Sequence, residues 1–156
     1  MLEREVSFPP AHTAEHLLNQ LMTRKFGCKR SDKAHIERKK SKMTFRLESK
    51  PDRHAEKEIE TRMNELIQQD LPITFEEVDR QHLPEGVSLD RLPANAPDLI
   101  RICRIGDYDI CACIGKHVRS TRQIGKFELL GTNWDEHQKT YRIRFKVCLL
   151  YTSRCV

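Results

Sequence analysis

The sequence lacks any long run of apolar residues, since hydrophobic types make up 38% of its 156 residues and are spread along the chain. A membrane-spanning helix needs about 20 consecutive apolar residues, so this pattern predicts no membrane segment. The first six residues include Glu3 and Glu5 and no apolar core, which is unlike a secretory signal. We therefore expect a cytoplasmic, globular protein without internal repeats.

The chain also lacks a Cys-x-x-Cys motif, the spacing typical of thiol–disulfide enzymes, although it has six cysteines. Without a secretory signal, these cysteines are expected to be reduced thiols, because disulfides are rare in the cytosol. Cys111, two residues before Cys113, is predicted to point away from Cys113 and to pack in the core as a small apolar residue. Redox pairing of the cysteines is the alternative.

Hydrophobic periodicity predicts an α+β fold. Leu17, Leu21 and Met22 recur at helical spacing before Gly27, which indicates a helix over 12–26 after an extended lead-in at 9–10. A proline near the start and an apolar stripe indicate a second helix over 51–70. Strands are predicted at 43–47, 71–78, 99–105, 108–111, 124–130 and 140–149, with turns at 106–107 and 131–133. This order favours an antiparallel sheet with two main helices packed on one face.

The last ten residues, 147–156, differ in style from the rest of the chain. We interpret them as a tail left by cloning or sequencing, and we give the cysteines within it no functional role. The predicted domain accordingly spans residues 1–146.

Two short motifs carry metal-binding residue types, His12-Thr-Ala-Glu-His16 and Cys113-Ile-Gly-Lys-His117. Residues four apart share one face of a helix, so His12 and His16 can direct their imidazoles at one point. Gly115 permits a tight bend that would bring Cys113 and His117 together. Three nitrogens and one sulfur suit Zn²⁺, which predicts one zinc ion per chain. Alternatively, the histidines form only hydrogen bonds and Cys113 is a small buried residue.

Basic residues follow both motifs and dominate the net charge of +5. Clustered lysine and arginine side chains neutralise phosphates, and a folded RNA is the natural polyanion for such a surface. A solvated charged surface without a ligand is the alternative. The candidate RNA-binding residues are Lys29, Arg30, Lys39, Lys40, Lys116, Arg119 and Arg122.

Three segments resemble, in this order along the chain, the editing domain of alanyl-tRNA synthetases. They are His12-Thr-Ala-Glu-His-Leu-Leu18, Ile105-Gly-Asp-Tyr-Asp-Ile-Cys-Ala-Cys-Ile-Gly-Lys-His-Val118 and Thr121-Arg-Gln-Ile-Gly-Lys-Phe127. The resemblance covers nearly the whole chain and is strongest to the stand-alone editing proteins of the AlaX type, while threonyl-tRNA synthetase editing domains are similar too. Where the family usually has Cys-Gly-Gly-Thr-His, this chain has Ile114 and Lys116.

The resemblance implies a hydrolase of translation fidelity that needs no ATP and that deacylates mischarged tRNA, with Ser-tRNA(Ala) or Gly-tRNA(Ala) as the expected substrate. Mischarged tRNA(Thr) is an alternative substrate, and a zinc-stabilised tRNA-binding module without catalysis is a competing hypothesis. We expect zinc to position the substrate, with Thr13 and the backbone near Gly115 as polar contacts. No obligate protein partner is expected. The implied zinc ligands are His12, His16, Cys113 and His117.

Overall fold

The computed structural model describes residues 8–88 and 97–149, in which two helices combine with seven strands. Every strand pair in these ranges is antiparallel, in a four-stranded sheet of order β1-β2-β7-β6 and a three-stranded sheet of order β3-β4-β5. The α+β prediction is confirmed, although two sheets form where one was predicted. The elements are α1 (Pro9–Phe26), β1 (Lys33–His35), β2 (Ser41–Arg46), α2 (Arg53–Gln68), β3 (Ile73–Asp79), β4 (Leu99–Ile105), β5 (Asp109–Ala112), β6 (Lys126–Asp135) and β7 (Thr140–Cys148).

The hydrophobic core joins the two helices to the four-stranded sheet. α1 packs against β7 and α2 packs against β6. The predicted inward face of β7 is confirmed, because Tyr141, Ile143 and Phe145 are fully buried. Neither helix of the described ranges has the length and apolar composition that crossing a membrane requires. The helices contribute Leu17, Leu18, Met22, Ile59, Met63, Leu66 and Ile67 to the core.

The helix starts differ from the predicted ones. α1 begins at Pro9, so the expectation that Pro9 and Pro10 are extended was wrong. Proline is tolerated in a first turn because the N–H groups there have no partner within the helix. α2 begins at Arg53, where the Asp52 side chain accepts a hydrogen bond from the N–H of Ala55 at 2.8 Å and caps the helix.

β6 is longer than predicted, whereas β7 ends at Cys148, one residue before its predicted end. The turn expected at 131–133 was wrong, because β6 continues through it with a register shift between Leu129 and Gly131. The chain reverses further on, where Lys139 adopts a positive φ of 55°. β7 extends to Cys148, which pairs with Lys126, so the predicted tail from 147 begins inside the sheet. Residues 150–156 of that tail lie outside the described residues.

Thr121 anchors the connection between β5 and β6. Its hydroxyl donates to the carbonyl of Leu66 at 2.9 Å and accepts from the N–H of Leu71 at 2.8 Å. Leu66 lies in the last turn of α2 and Leu71 precedes β3, so one fully buried side chain joins three segments. This anchor fixes one end of the loop that follows β5.

Candidate metal centre

The two sequence motifs meet at one place in the fold. The first two turns of α1 present His12 and His16, and the loop after β5 presents Cys113 and His117. One ligand atom from each of the four residues lies within 4.8 Å of the other three, and no other such His/Cys/Asp/Glu group occurs in ranges 8–88 and 97–149. His16 is buried, whereas the other three are partly exposed. The group is therefore accessible from one side.

The separations within this group fit a zinc ion. The Cys113 Sγ atom lies 3.5 Å from Nε2 of His12 and 3.5 Å from Nε2 of His117. With Zn–S near 2.3 Å and Zn–N near 2.0–2.1 Å, a tetrahedral ion separates sulfur and nitrogen ligands by about 3.5 Å. A set of three imidazoles and one thiolate also suits zinc better than calcium or magnesium. The residues present thus fit a tetrahedral zinc site.

The Nδ1 atoms of the three histidines, which point away from the proposed metal position, have the surroundings typical of metal-binding histidines. Nδ1 of His12 lies 2.9 Å from the carbonyl oxygen of Lys116, and Nδ1 of His117 lies 2.9 Å from Oγ1 of Thr13. Nδ1 of His16 is buried without a hydrogen bond and lies 3.7 Å from Oδ2 of Asp109. Metal-binding histidines usually donate this N–H to an oxygen, which leaves the other nitrogen for the ion.

Asp109 is a buried carboxylate behind His16. Its Oδ1 accepts hydrogen bonds from Nε2 of Gln20 at 2.8 Å and from Nη1 of Arg30 at 2.7 Å. Burial alone would raise the pKa of Asp109, but the interactions with His16 and Arg30 outweigh it and lower the pKa to about 2. A negative charge is therefore fixed next to the imidazole of His16.

The cysteine is electrostatically prepared to bind a cation. Burial alone would raise the pKa of the Cys113 thiol, but its contacts with the rings of His117, His12 and His16 lower the pKa from 9.0 to about 3. Burial likewise opposes the charged form of His16, yet Asp109 and Cys113 raise its pKa to about 9. Cys113 is therefore a thiolate at neutral pH, which is the form that binds metals.

Glycine is required between the second pair of ligands. A Cβ atom at Gly115 would lie 2.3 Å from Cε1 of His12, well inside contact distance. The residues that depart from the family motif do not crowd the ligands, because Ile114 is 82% exposed and the Lys116 side chain is also exposed. Lys116 takes part in the site only through its backbone carbonyl, which any residue can supply.

Thr13 lies between α1 and the loop that carries His117. Its side chain is fully buried, and its hydroxyl oxygen accepts from the N–H of Val118 at 3.2 Å while contacting the ring of His117. Both contacts are on the loop after β5, so Thr13 joins α1 to that loop and orients His117. The contact of Thr13 with substrate stays a prediction.

The candidate RNA-binding residues divide into two groups. Arg30 forms an ion pair with the buried Asp109, with Nη1 and Oδ1 2.7 Å apart. The loop at 36–40 lies beside the start of α1, because the Arg38 guanidinium is 4.4 Å from the ring centroid of Phe8. Lys116 is on the loop that carries His117. The exposed members of the predicted set are Lys29, Lys39, Lys40, Lys116, Arg119 and Arg122.

The sequence prediction missed Asp109 and misplaced Cys111. Alternate residues of a strand point to the same side, so Asp109 and Cys111 share one face of β5, and Cys113 continues that alternation. The expectation that Cys111 points away was therefore wrong, and it is partly exposed instead of lying in the core. The two-residue period preceding Cys113 is the signal that would have identified Asp109.

The chain is similar to parts of alanyl-tRNA editing proteins and of alanine–tRNA ligases. Residues 100–144 match the family described as the threonyl and alanyl tRNA synthetase second additional domain. The alanyl-tRNA editing protein AlaX-L of Pyrococcus horikoshii is 32% identical over 137 residues, which cover 86% of this chain and 32% of that protein. An alanine–tRNA ligase of Treponema denticola is 30% identical over 74% of this chain and 20% of the ligase. One of Halorubrum lacusprofundi is 32% identical over 78% of this chain and 13% of the ligase. The chain therefore spans about a third or less of the length of these relatives.

Proposed function

Because the chain is a relative of the alanyl-tRNA editing proteins and of the alanine–tRNA ligases, we propose that it is a zinc-dependent hydrolase acting on mischarged tRNA in the cytoplasm. The reaction is hydrolysis of the ester between a wrong amino acid and the terminal ribose. The observation that carries the proposal is the convergence of four metal-ligand atoms within 4.8 Å from two distant motifs.

The proposed ligands are His12, His16, Cys113 and His117. When bound, zinc would supply a positive charge that orients the ester or polarises its carbonyl. Two contacts orient the ligand rings. The backbone carbonyl of Lys116 contacts the ring of His12, and the hydroxyl of Thr13 contacts the ring of His117. Such fixed outer contacts keep ligands oriented, so little reorganisation is needed when substrate arrives.

Exposed basic side chains on two loops support tRNA as the substrate. Lys39 and Lys40 lie on the loop beside the start of α1, and Lys116 and Arg119 lie on the loop that carries His117. Phosphates on either side of an RNA end could contact these two loops while the end itself reaches the ligands. This arrangement favours a terminal ester over an internal site of the RNA.

For the amino acid, Ser-tRNA(Ala) is our first choice and Gly-tRNA(Ala) the second. The relatives named for alanyl-tRNA editing and alanine ligation outweigh the alternative of mischarged tRNA(Thr). A site that hydrogen-bonds a substrate hydroxyl can reject the analogue lacking it by a large factor, so serine offers the strongest basis for discrimination against alanine.

A non-catalytic zinc-stabilised tRNA-binding module is the second candidate. It is favoured by one feature of the site, namely that four protein ligands complete a tetrahedral shell, as in structural zinc sites. In that case the metal would join α1 to the loop after β5, and the basic loops would bind RNA without hydrolysis.

Deacylation of a panel of mischarged tRNAs separates these candidates. Zinc-loaded protein should release the amino acid from Ser-tRNA(Ala) or Gly-tRNA(Ala) while leaving Ala-tRNA(Ala) intact, and a chelator should abolish the release. Ser-tRNA(Thr) is included in the panel to test the alternative substrate, mischarged tRNA(Thr). If tRNA binds but no ester is cleaved faster than with a Cys113→Ala variant, the binding-module hypothesis replaces the hydrolase. Elemental analysis of the same preparation should find one zinc per chain.

A further inference from the structure

An exposed aromatic ring lies beside the metal centre on the three-stranded sheet. Phe75, on β3, is 45% exposed, and its ring centroid is 6.0 Å from that of His117. β3 is the edge of its sheet and pairs only with β4 among the described strands. The ring is therefore accessible to solvent and lies close to one of the metal-binding residues.

Arg101 ties the ring of Phe75 to the metal-binding loop. Its guanidinium carbon lies 3.8 Å from the ring centroid, which is a cation–π contact. The Nη1 atom of the same guanidinium donates to the backbone carbonyl of Gly115 at 2.9 Å. Gly115 stands between Cys113 and His117, so the aromatic ring and two of the ligands are held in one connected arrangement.

We infer that Phe75 and Arg101 form a stacking platform for the unpaired base at the 3′ end of an RNA, an inference that rests on the proposed function. Proteins bind unpaired bases by stacking them on aromatic rings and on guanidinium planes. The base and the aminoacyl ester are attached to the same ribose. A surface for the base must therefore lie one sugar away from the reacting ester, and the position of Phe75 beside His117 satisfies this requirement.

The charge around the platform suits a nucleotide. Arg101 is partly exposed, and Lys116 and Arg119 are exposed on the loop that Arg101 contacts. Arg101 and the two cations of this loop would provide partners for the phosphate that precedes the terminal nucleoside. An apolar partner protein would gain nothing from these charges, so a nucleic-acid end is the better occupant.

Two RNA hairpins that carry no amino acid and share the same unpaired 3′ tail test the platform directly. One ends in 2-aminopurine, whose fluorescence is quenched on stacking, and the other ends in an abasic ribose. Stacking one base on an aromatic side chain changes affinity by about 5- to 150-fold, so the full protein should bind the base-bearing hairpin that much more tightly. Phe75→Ala and Phe75→Leu should remove the difference, and Phe75→Trp should keep it. Leu130→Ala, which truncates a 43% exposed apolar side chain on β6, should change nothing.

Equal affinity of the unaltered protein for the two hairpins would overturn the platform, as would a Phe75→Ala variant that retains both the preference and the quenching. Hydrolysis of mischarged tRNA without dependence on the terminal base refutes the platform and leaves the hydrolase standing. Phe75-dependent binding without hydrolysis of any mischarged tRNA refutes the hydrolase and supports the platform. If the protein is a hydrolase and the platform also binds the terminal base, Phe75→Ala should raise KM for mischarged tRNA by the factor by which it lowers affinity for the base-bearing hairpin, while kcat changes less.

Discussion

Replacing Asp109 with asparagine removes a negative charge behind the metal centre without changing the size of the side chain. Three N–H-bearing groups face this carboxylate. Nε2 of Gln20 and the guanidinium of Arg30 donate hydrogen bonds to it, and Nδ1 of His16 lies 3.7 Å away, beyond hydrogen-bond distance. An asparagine has one oxygen and one NH₂ group, so its NH₂ would have to face at least one of these donors.

The expected loss follows from the position of Asp109 next to a ligand. Changes to groups that hydrogen-bond metal-binding histidines typically lower metal affinity by about 10- to 100-fold, which corresponds to about 1.4–2.7 kcal/mol. In the metal-free protein, the free energy of unfolding should also fall by about 1–3 kcal/mol. The Arg30 guanidinium is only 23% exposed and would lose part of the acceptor that the Asp109 carboxylate provides.

Competition with a chromophoric chelator measures the zinc affinity, and urea unfolding of the metal-free protein measures the stability. Asp107→Asn is the matched control, because Asp107 lies two residues away in the turn before β5 and is exposed. We expect the control to behave like the unaltered protein in both assays. Zinc affinity of Asp109→Asn within twofold of the unaltered protein would refute the role assigned to this carboxylate.

Gly115→Ala should lower zinc affinity by at least about tenfold, because the new Cβ would lie 2.3 Å from the ring of the first histidine ligand; an unchanged chelator titration would show that the ring can move freely. Thr121→Val should lower the free energy of unfolding by about 1–3 kcal/mol, since it leaves the N–H of Leu71 without its acceptor, whereas Thr121→Ser should retain most of it in urea unfolding. Equal losses for both variants would contradict the hydrogen-bond explanation. Lys116→Gln with Arg119→Gln should reduce the slope of log Kd for tRNA against log salt concentration by about 1.4–1.8, and a constant slope would place the RNA elsewhere.

Local patterns in the sequence predicted most of the buried faces of the elements and the four candidate metal ligands. Apolar residues at helical or alternating spacing show where a side chain points relative to its own element, and this correctly gave the buried faces of α1, α2 and β7. The four ligand candidates were also visible, because their spacing within each motif is local. His12 and His16 share a helix face because of helix geometry alone, independently of the tertiary structure.

Periodicity does not reveal which element a buried face meets, and that was decided by tertiary structure. The separation of the strands into two sheets depends on pairings such as β2 with β7, which no local pattern specifies. The same holds for the positions of Thr13 behind His117 and of Phe75 beside it. These contacts join residues far apart in the chain. The packing of α1 against the loop after β5 brings Thr13 to His117, and Arg101 of β4 holds Phe75 of β3 next to the same loop.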